Sequence, residues 1–338
     1  MAIFTREFNK LDFSDPVKVA EQIKQQAIIY GADSVGIGSI DRWDGIDIQT
    51  DPKQIMPECK SVISMVFRLE RGSIRAVEEG TFFNHYATTW GALNRLYIPM
   101  TVNNLARFIE DQGYEVVPYG SQNDWSALDE SGKLKPDYSR PARKGQAVPD
   151  VEIDLRIAAY LCGLGEIGYS GRFLSPLFGP RIMIGIMLTE LELAADPIYN
   201  GPKLCNRCKA CVHACPGSCI SADKTVKVKA AGHELEWAQV DMKKCMDSTT
   251  GTVRTETPKD DPYIYGDAKT DHGDWSPFYN KPTYIAYNAV PAICGGRGCI
   301  RACMISLESR GVLENKFKQE FRRRPEWTVD WSAKSEEK

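Results

Sequence analysis

The 338-residue chain is long enough for one large domain or two ordinary ones, and its 43 % hydrophobic and 26 % charged residues are the balance of a soluble globular protein. A formal net charge of −3 at pH 7 argues against a dedicated nucleic-acid partner or an anionic-membrane binder; the short basic run Arg322-Arg323-Arg324 reads as a solvated face. The longest apolar stretch, around Ile182 to Leu188, is far too short to span a bilayer, and the N-terminus carries neither an apolar signal core nor a twin arginine, so no membrane is expected.

Ser14-Asp15-Pro16 offers a helix cap followed by proline in the first turn, and Val19, Ile23 and Ala27 then recur at helical spacing up to Gly31. The runs 34–38 and 61–67 read as buried strands. Leu93, Leu96, Met100, Leu105, Phe108 and Ile109 predict a long helix kinked at Pro99. A strand follows from Tyr114 to Tyr119. Residues 121–150 are polar and rich in Gly, Pro, Ser and Asp, the composition of a loop and a candidate lid. A helix from Glu152 to Cys162 and a strand from Ile182 to Leu188 complete an α+β body, an α/β sandwich, with no repeat of solenoid period.

The next run changes the chemistry. Cys205-Asn-Arg-Cys208-Lys-Ala-Cys211-Val-His-Ala-Cys215-Pro216 is C-x2-C-x2-C-x3-C-P, which wraps three thiolates around one 4Fe–4S cube and sends the fourth to a second. A structural zinc site normally takes two separated ligand pairs, and a disulfide framework needs an oxidising compartment and usually a small secreted chain. Metal-bound thiols fit a reducing compartment, so the expected location is cytoplasmic. Two cubes need eight thiolates. The chain has 11 cysteines, and C-terminal to Cys219 only Cys245, Cys294, Cys299 and Cys303 remain. Exchange of the last members between the two runs assigns Cys205, Cys208, Cys211 and Cys303 to one cluster, and Cys215, Cys245, Cys294 and Cys299 to the other. The second run departs from the ferredoxin spacing: four residues separate Cys294 from Cys299, 48 separate Cys245 from Cys294, and no proline follows Cys303. Cys59, Cys162 and Cys219 are left for core packing.

Gly163-Leu-Gly165-Glu166-Ile-Gly168 matches the dinucleotide fingerprint G-x-G-x-x-G, which requires a strand before it and a helix after it. Here a helical pattern precedes it and a strand follows, so the glycines read as a helix C-cap and a tight turn.

The block running from Asp154 through Gly163-Leu-Gly165-Glu166-Ile-Gly168-Tyr169-Ser-Gly to Leu174-Ser-Pro-Leu-Phe-Gly-Pro-Arg181 resembles the central block of the reductive dehalogenase family. The related epoxyqueuosine reductases share it in looser form. The order of parts agrees, and Arg324-Pro-Glu-Trp-Thr-Val-Asp-Trp331 is similar to the dehalogenase C-terminus, so the resemblance covers roughly residues 16–331. It implies an oxidoreductase with a nitroreductase-like cobalamin and substrate domain (1–195). A ferredoxin-like domain with two 4Fe–4S clusters (196–310) and an aromatic-rich insert (246–293) would follow, and a C-terminal tail (311–338) would pack on the first domain. The aromatic residues of that insert suit either the roof of an apolar substrate pocket or the filling of a core.

The implied chemistry is electron delivery to a base-off cobalamin, with cleavage of a carbon–halogen or related bond in a small organic substrate. An external low-potential donor of the ferredoxin or flavodoxin type would supply the electrons. By the resemblance Gly163, Gly165, Glu166 and Gly168 lie toward the cofactor, Tyr169 is the candidate proton donor and Arg181 its helper. The aspartate that epoxyqueuosine reductases carry ahead of the Gly-Leu-Gly falls here at Pro149, leaving Asp150 one residue out of register as a donor. No Asp-x-His-x-x-Gly is present, which fits base-off binding and equally fits the absence of cobalamin. Two other readings stand beside this one: an epoxyqueuosine-reductase-like enzyme acting on tRNA, and a non-catalytic electron-transfer or corrinoid-reducing protein.

Overall fold

The computed structural model describes residues 10–82, 84–120, 138–215, 217–242, 244–245 and 294–326. The insert 246–293, the greater part of the loop 121–150, the side chain of Cys294 and the closing motif from Trp327 onward lie outside them.

Helix α1 (Pro16–Ile29) begins where the sequence places its cap: the Asp15 carboxylate accepts from the Val17 and Lys18 backbone N–H groups, with Pro16 in the first turn. Four strands, β1 (Ser34–Ser39), β2 (Ser61–Arg68), β3 (Val116–Gly120) and β6 (Ile182–Thr189), form an antiparallel sheet in the order β1-β2-β6-β3. The central strands are apolar along nearly their whole length because both faces are covered. Ile63, Met65 and Phe67 of β2 point into one core with α1 and α4 (Ile98–Glu110). Val62 and Val66 point into a second core with α5 (Leu155–Leu161) and the block that follows it. Each side chain so covered contributes roughly 1.5–3 kcal/mol. The mixed helix-and-sheet architecture expected from the sequence is therefore present.

The predicted kinked helix is longer and bends differently. It starts at α3 (Asn84–Ala92), passes through a π-helical turn over Leu93–Tyr97 and continues as α4. Pro99 has no N–H to give to the preceding turn. The wider turn, with Ile98 N–H donating to the Leu93 carbonyl, absorbs that loss.

Beyond β6 the chain forms a short helix α6 (Ala210–His213), the hairpin β7 (Ile220–Ala230) and β8 (His233–Val240), the helical turn α7 (Cys294–Arg297) and α8 (Cys299–Ser309). The hairpin turns on Ala231 and Gly232, both with positive φ (49° and 76°), as a two-residue primed turn requires. Helix α8 and residues 311–321 lie back on the first body: Ile300, Met304 and Phe321 enter its core, and Arg71 donates to the Gln319 carbonyl at 2.7 Å. Among the described residues, no helix is long and apolar enough to cross a membrane.

Candidate functional site

Local geometry turns the first cysteine run into a ligand loop. Arg207 and Lys209 take left-handed φ values of 57° and 59°, so the chain coils tightly before α6 begins at Ala210. The Cys205 N–H donates to Glu166 Oε1 at 2.5 Å, and its Sγ accepts from the Tyr169 N–H at 3.2 Å. Cys208 Sγ stands 3.5 Å from Ser306 Oγ on α8. Burial and the nearby sulfurs of Cys299, Cys205 and Cys208 push the Cys211 thiol up to about 11. Cys303 is also raised, by burial first and then by Cys205, Cys211, Cys299 and Cys208. The fold thus brings Cys205, Cys208 and Cys211 near Cys303, from two segments almost a hundred residues apart, with Cys299 also close to Cys211 and Cys303. Thiolates held this close repel one another, and an iron core of positive charge relieves that repulsion.

A second set borders it. Cys215, Cys245 and Cys299 line a cavity of about 270 Å³ together with Cys219, Arg156 and Arg172. Arg172 hydrogen-bonds Cys299, whose thiol is nevertheless raised because burial outweighs that bond. Arg172 also faces Cys245. Arg156 is fixed by Asp154, by the Gly171 carbonyl at 3.0 Å and by the Trp237 ring 4.8 Å away. Among the described residues, no three His, Cys, Asp or Glu side chains are arranged to hold a single metal ion. The ligands of a cube bind separate irons and therefore stand farther apart than those of a single ion. The ten cysteines whose side chains are described are all free of disulfides. The chemistry of this donor set, free thiols with arginines beside them, fits iron–sulfur ligation.

The remaining candidates are placed otherwise. The Gly163 segment is a helix terminus: Leu164 N–H donates to Ala159 O and Gly163 N–H to Tyr160 O, each at 3.0 Å, the paired bonds of a Schellman cap. Gly163 has φ 81°, and a Cβ there would overlap the Pro197 carbonyl oxygen; one at Gly165 would overlap that of Leu174. A Cβ at Gly168 would press on the Leu174 side chain, and Glu166 is engaged with the Cys205 N–H. These four residues pack against the chain itself, so they do not fit the role of a corrin cradle.

Tyr169 is 6 % exposed, and its hydroxyl donates to the Ala222 carbonyl at 2.9 Å, tying the block to the cluster hairpin. Its proton is committed to the backbone, which is not the geometry of a donor facing substrate. Arg181 is buried with its own partners, the Leu69 carbonyl at 2.6 Å and Asn315, and burial lowers it to about 10. No described contact joins it to Tyr169. Asp150 is exposed, at φ 65°, and accepts from the Tyr138 hydroxyl at 2.6 Å. The three proposed catalytic residues are thus dispersed.

Cys59 and Cys162 are core thiols, as expected; burial pushes Cys59 up to about 11 and raises Cys162 as well. Cys219 is not simply core, because it stands on the second cavity beside Cys215. Its position four residues after Cys215 was a legible signal. Nothing in the sequence marked Arg172.

No protein-family model matches the chain. It is 24 % identical over 247 residues to a tetrachloroethene reductive dehalogenase of Dehalobacter restrictus, a match covering 64 % of this chain and 41 % of that one. It is 24 % identical over 241 residues to an epoxyqueuosine reductase of Staphylococcus aureus, covering 59 % of this chain and 53 % of that one. The matches therefore span about half or less of these relatives. Among solved structures, a reductive dehalogenase described with a mechanism for B12-dependent dehalogenation aligns at 22 % identity and TM-score 0.48, covering 70 % of this chain and 30 % of that one. An epoxyqueuosine reductase with a modified tRNA-Tyr stem loop aligns at 15 % identity and TM-score 0.41, covering 72 % of this chain and 59 % of that one.

Proposed function

We propose that this chain, a homologue of the reductive dehalogenases and epoxyqueuosine reductases, is an iron–sulfur oxidoreductase that carries electrons through two 4Fe–4S clusters to a buried acceptor. The observation that carries the reading is the gathering of two adjacent thiol sets: Cys205, Cys208, Cys211 and Cys303, then Cys215, Cys245 and Cys299 with Cys294 as the assigned fourth ligand. Cluster potentials span a range of about a volt, so a pair of cubes is able to feed a low-potential acceptor from a ferredoxin- or flavodoxin-type donor.

The resemblance of the central block to the reductive dehalogenases supports cobalamin as that acceptor, and we take it to sit in a nitroreductase-like domain with a ferredoxin-like domain holding the clusters. When bound, it would supply reductive cleavage of a carbon–halogen or related bond in a small organic substrate. The described glycines of the central block pack against the chain itself rather than around such a cofactor. What this chain's own residues do is hold sulfur. Glu166 and Tyr169 orient Cys205, Arg172 places positive charge beside Cys299 and Cys245, and Arg156 packs the wall between block and hairpin.

The second reading is epoxyqueuosine reduction on a tRNA. The Staphylococcus aureus relative favours it, since the match spans a larger share of that protein than of the Dehalobacter one. The negative net charge does not exclude a local groove for RNA.

Anaerobic purification with iron and cobalt analysis and a visible spectrum tests the cofactor reading: about eight irons and one cobalt per chain are expected. Eight irons without cobalt, even after reconstitution with cobalamin, would put a cluster-only electron carrier in its place. Parallel assays on halogenated aromatics and on tRNA bearing epoxyqueuosine separate the two substrate readings.

A further inference from the structure

Among the described thiols at the second cavity, Cys219 alone has no part in the eight-ligand assignment. It is 6 % exposed, and its Sγ lies 3.2 Å from Cys215 Sγ. It also hydrogen-bonds Cys245. Backbone geometry sets this position. Ser218 has φ 46°, and its N–H donates to the Cys215 carbonyl at 3.0 Å, which folds Cys219 back over Cys215. The Cys219 carbonyl in turn accepts from Asp241 N–H, and the Asp241 carbonyl from Cys245 N–H, each at 2.9 Å. A chain of main-chain bonds therefore brings Cys245 to Cys219, and Cys219 stands between two assigned ligands.

Two ligands of one cube bind different irons, and the core between them holds their negative sulfurs apart. At 3.2 Å the Cys215 and Cys219 sulfurs are within hydrogen-bond reach, and by geometry either could be the donor. Once Cys215 and Cys245 are metal-bound thiolates, only Cys219 retains an S–H to give.

We infer that Cys219 is a positioning residue of the second cluster, whose S–H donates to the ligand sulfurs of Cys215 and Cys245 and raises that cluster's reduction potential. Reduction adds negative charge that spreads onto the ligand sulfurs, and a donor aimed at them favours the reduced state. The inference rests on the two-cluster reading above.

The test compares the wild-type chain with Cys219→Ala and Cys219→Ser after anaerobic reconstitution, by iron and sulfide content and by EPR-monitored redox titration. All three are expected to hold about eight irons. In the alanine variant one of the two midpoints falls and the other stays. The serine variant, which keeps an O–H donor, returns the shifted midpoint toward the wild-type value. A fall to about four irons in both variants would make Cys219 a ligand and overturn the inference. Eight irons with both midpoints unmoved would overturn it in favour of packing. Should the alanine chain fail to fold, Cys219→Val fills the thiol's space without a donor and is compared with the serine variant in the same titration. A wild-type chain that takes up no iron sinks the cluster reading itself, an outcome separate from these.

Discussion

Cys205 is held from both sides, its N–H on the Glu166 carboxylate and its sulfur on the Tyr169 N–H, before any metal is considered. Such pre-orientation lets a thiolate meet iron without ordering the loop at that moment. Replacing Cys211 by Ser is therefore expected to lower bound iron from about eight to about four per chain, with the EPR signal of the second cluster retained. Loss of all iron would show that the two sets do not assemble independently. A core thiol away from the clusters contributes to the alkaline limb of stability. Burial raises Cys59 from 9.0 to about 11, so the folded state keeps its proton where the unfolded chain has lost it. The stabilisation this gives is complete below pH 9 and is lost as pH rises through about 11. Denaturant melts across that window should show a shallower alkaline decline for Cys59→Val than for wild type.

At the scale of elements, the junction between α5 and the cluster run carries the most constraint. The Schellman cap at Gly163, the short pair β4 (Glu166–Ile167) with β5 (Phe173–Leu174), and the hairpin bonded through Ala238 N–H to the Tyr169 carbonyl at 2.7 Å form one continuous path from sheet to sulfur. Gly163→Ala imposes both a left-handed φ on a Cβ-bearing residue and an overlap with the Pro197 carbonyl. The expected loss is more than about 2 kcal/mol in thermal or urea unfolding, above the 1–2 kcal/mol of the conformational term alone. An unchanged melting curve would show that the Pro197 segment yields freely. These elements were partly readable. The helix before the glycines and the strand after them already ruled out a dinucleotide site. The hairpin is also written in the sequence, as alternation from Thr225 to Lys229 ahead of the turn at Ala231-Gly232.

Across the whole molecule, a buried ion-pair network joins the two ends of the chain. Arg301 of α8 bonds Glu78 at 2.7 Å and Glu326 at 2.7 Å, while Arg322 reaches Glu78 at 2.6 Å, with Arg301 and Glu78 only 2 % and 5 % exposed at their side chains. Removing Arg301 leaves Glu78 only the partly exposed Arg322, so Arg301→Met is expected to cost up to about 3 kcal/mol, the low end for a broken buried pair. The double variant Arg301→Met with Glu78→Leu should recover most of that loss in the same unfolding assay. The sequence by itself supplied the cysteine count and spacing on which the cluster proposal rests, because both are local and follow the chain. It also determined the central strands and α1, whose apolar periodicity and cap are local too. Tertiary structure alone decided which side chains face one another. It committed the Tyr169 hydroxyl to the Ala222 carbonyl, buried Arg181 against Leu69, and brought Cys219 and Arg172 to the second cavity. Those outcomes depend on contacts between segments distant in sequence, and no spacing along a chain encodes the direction of a side chain across such a gap.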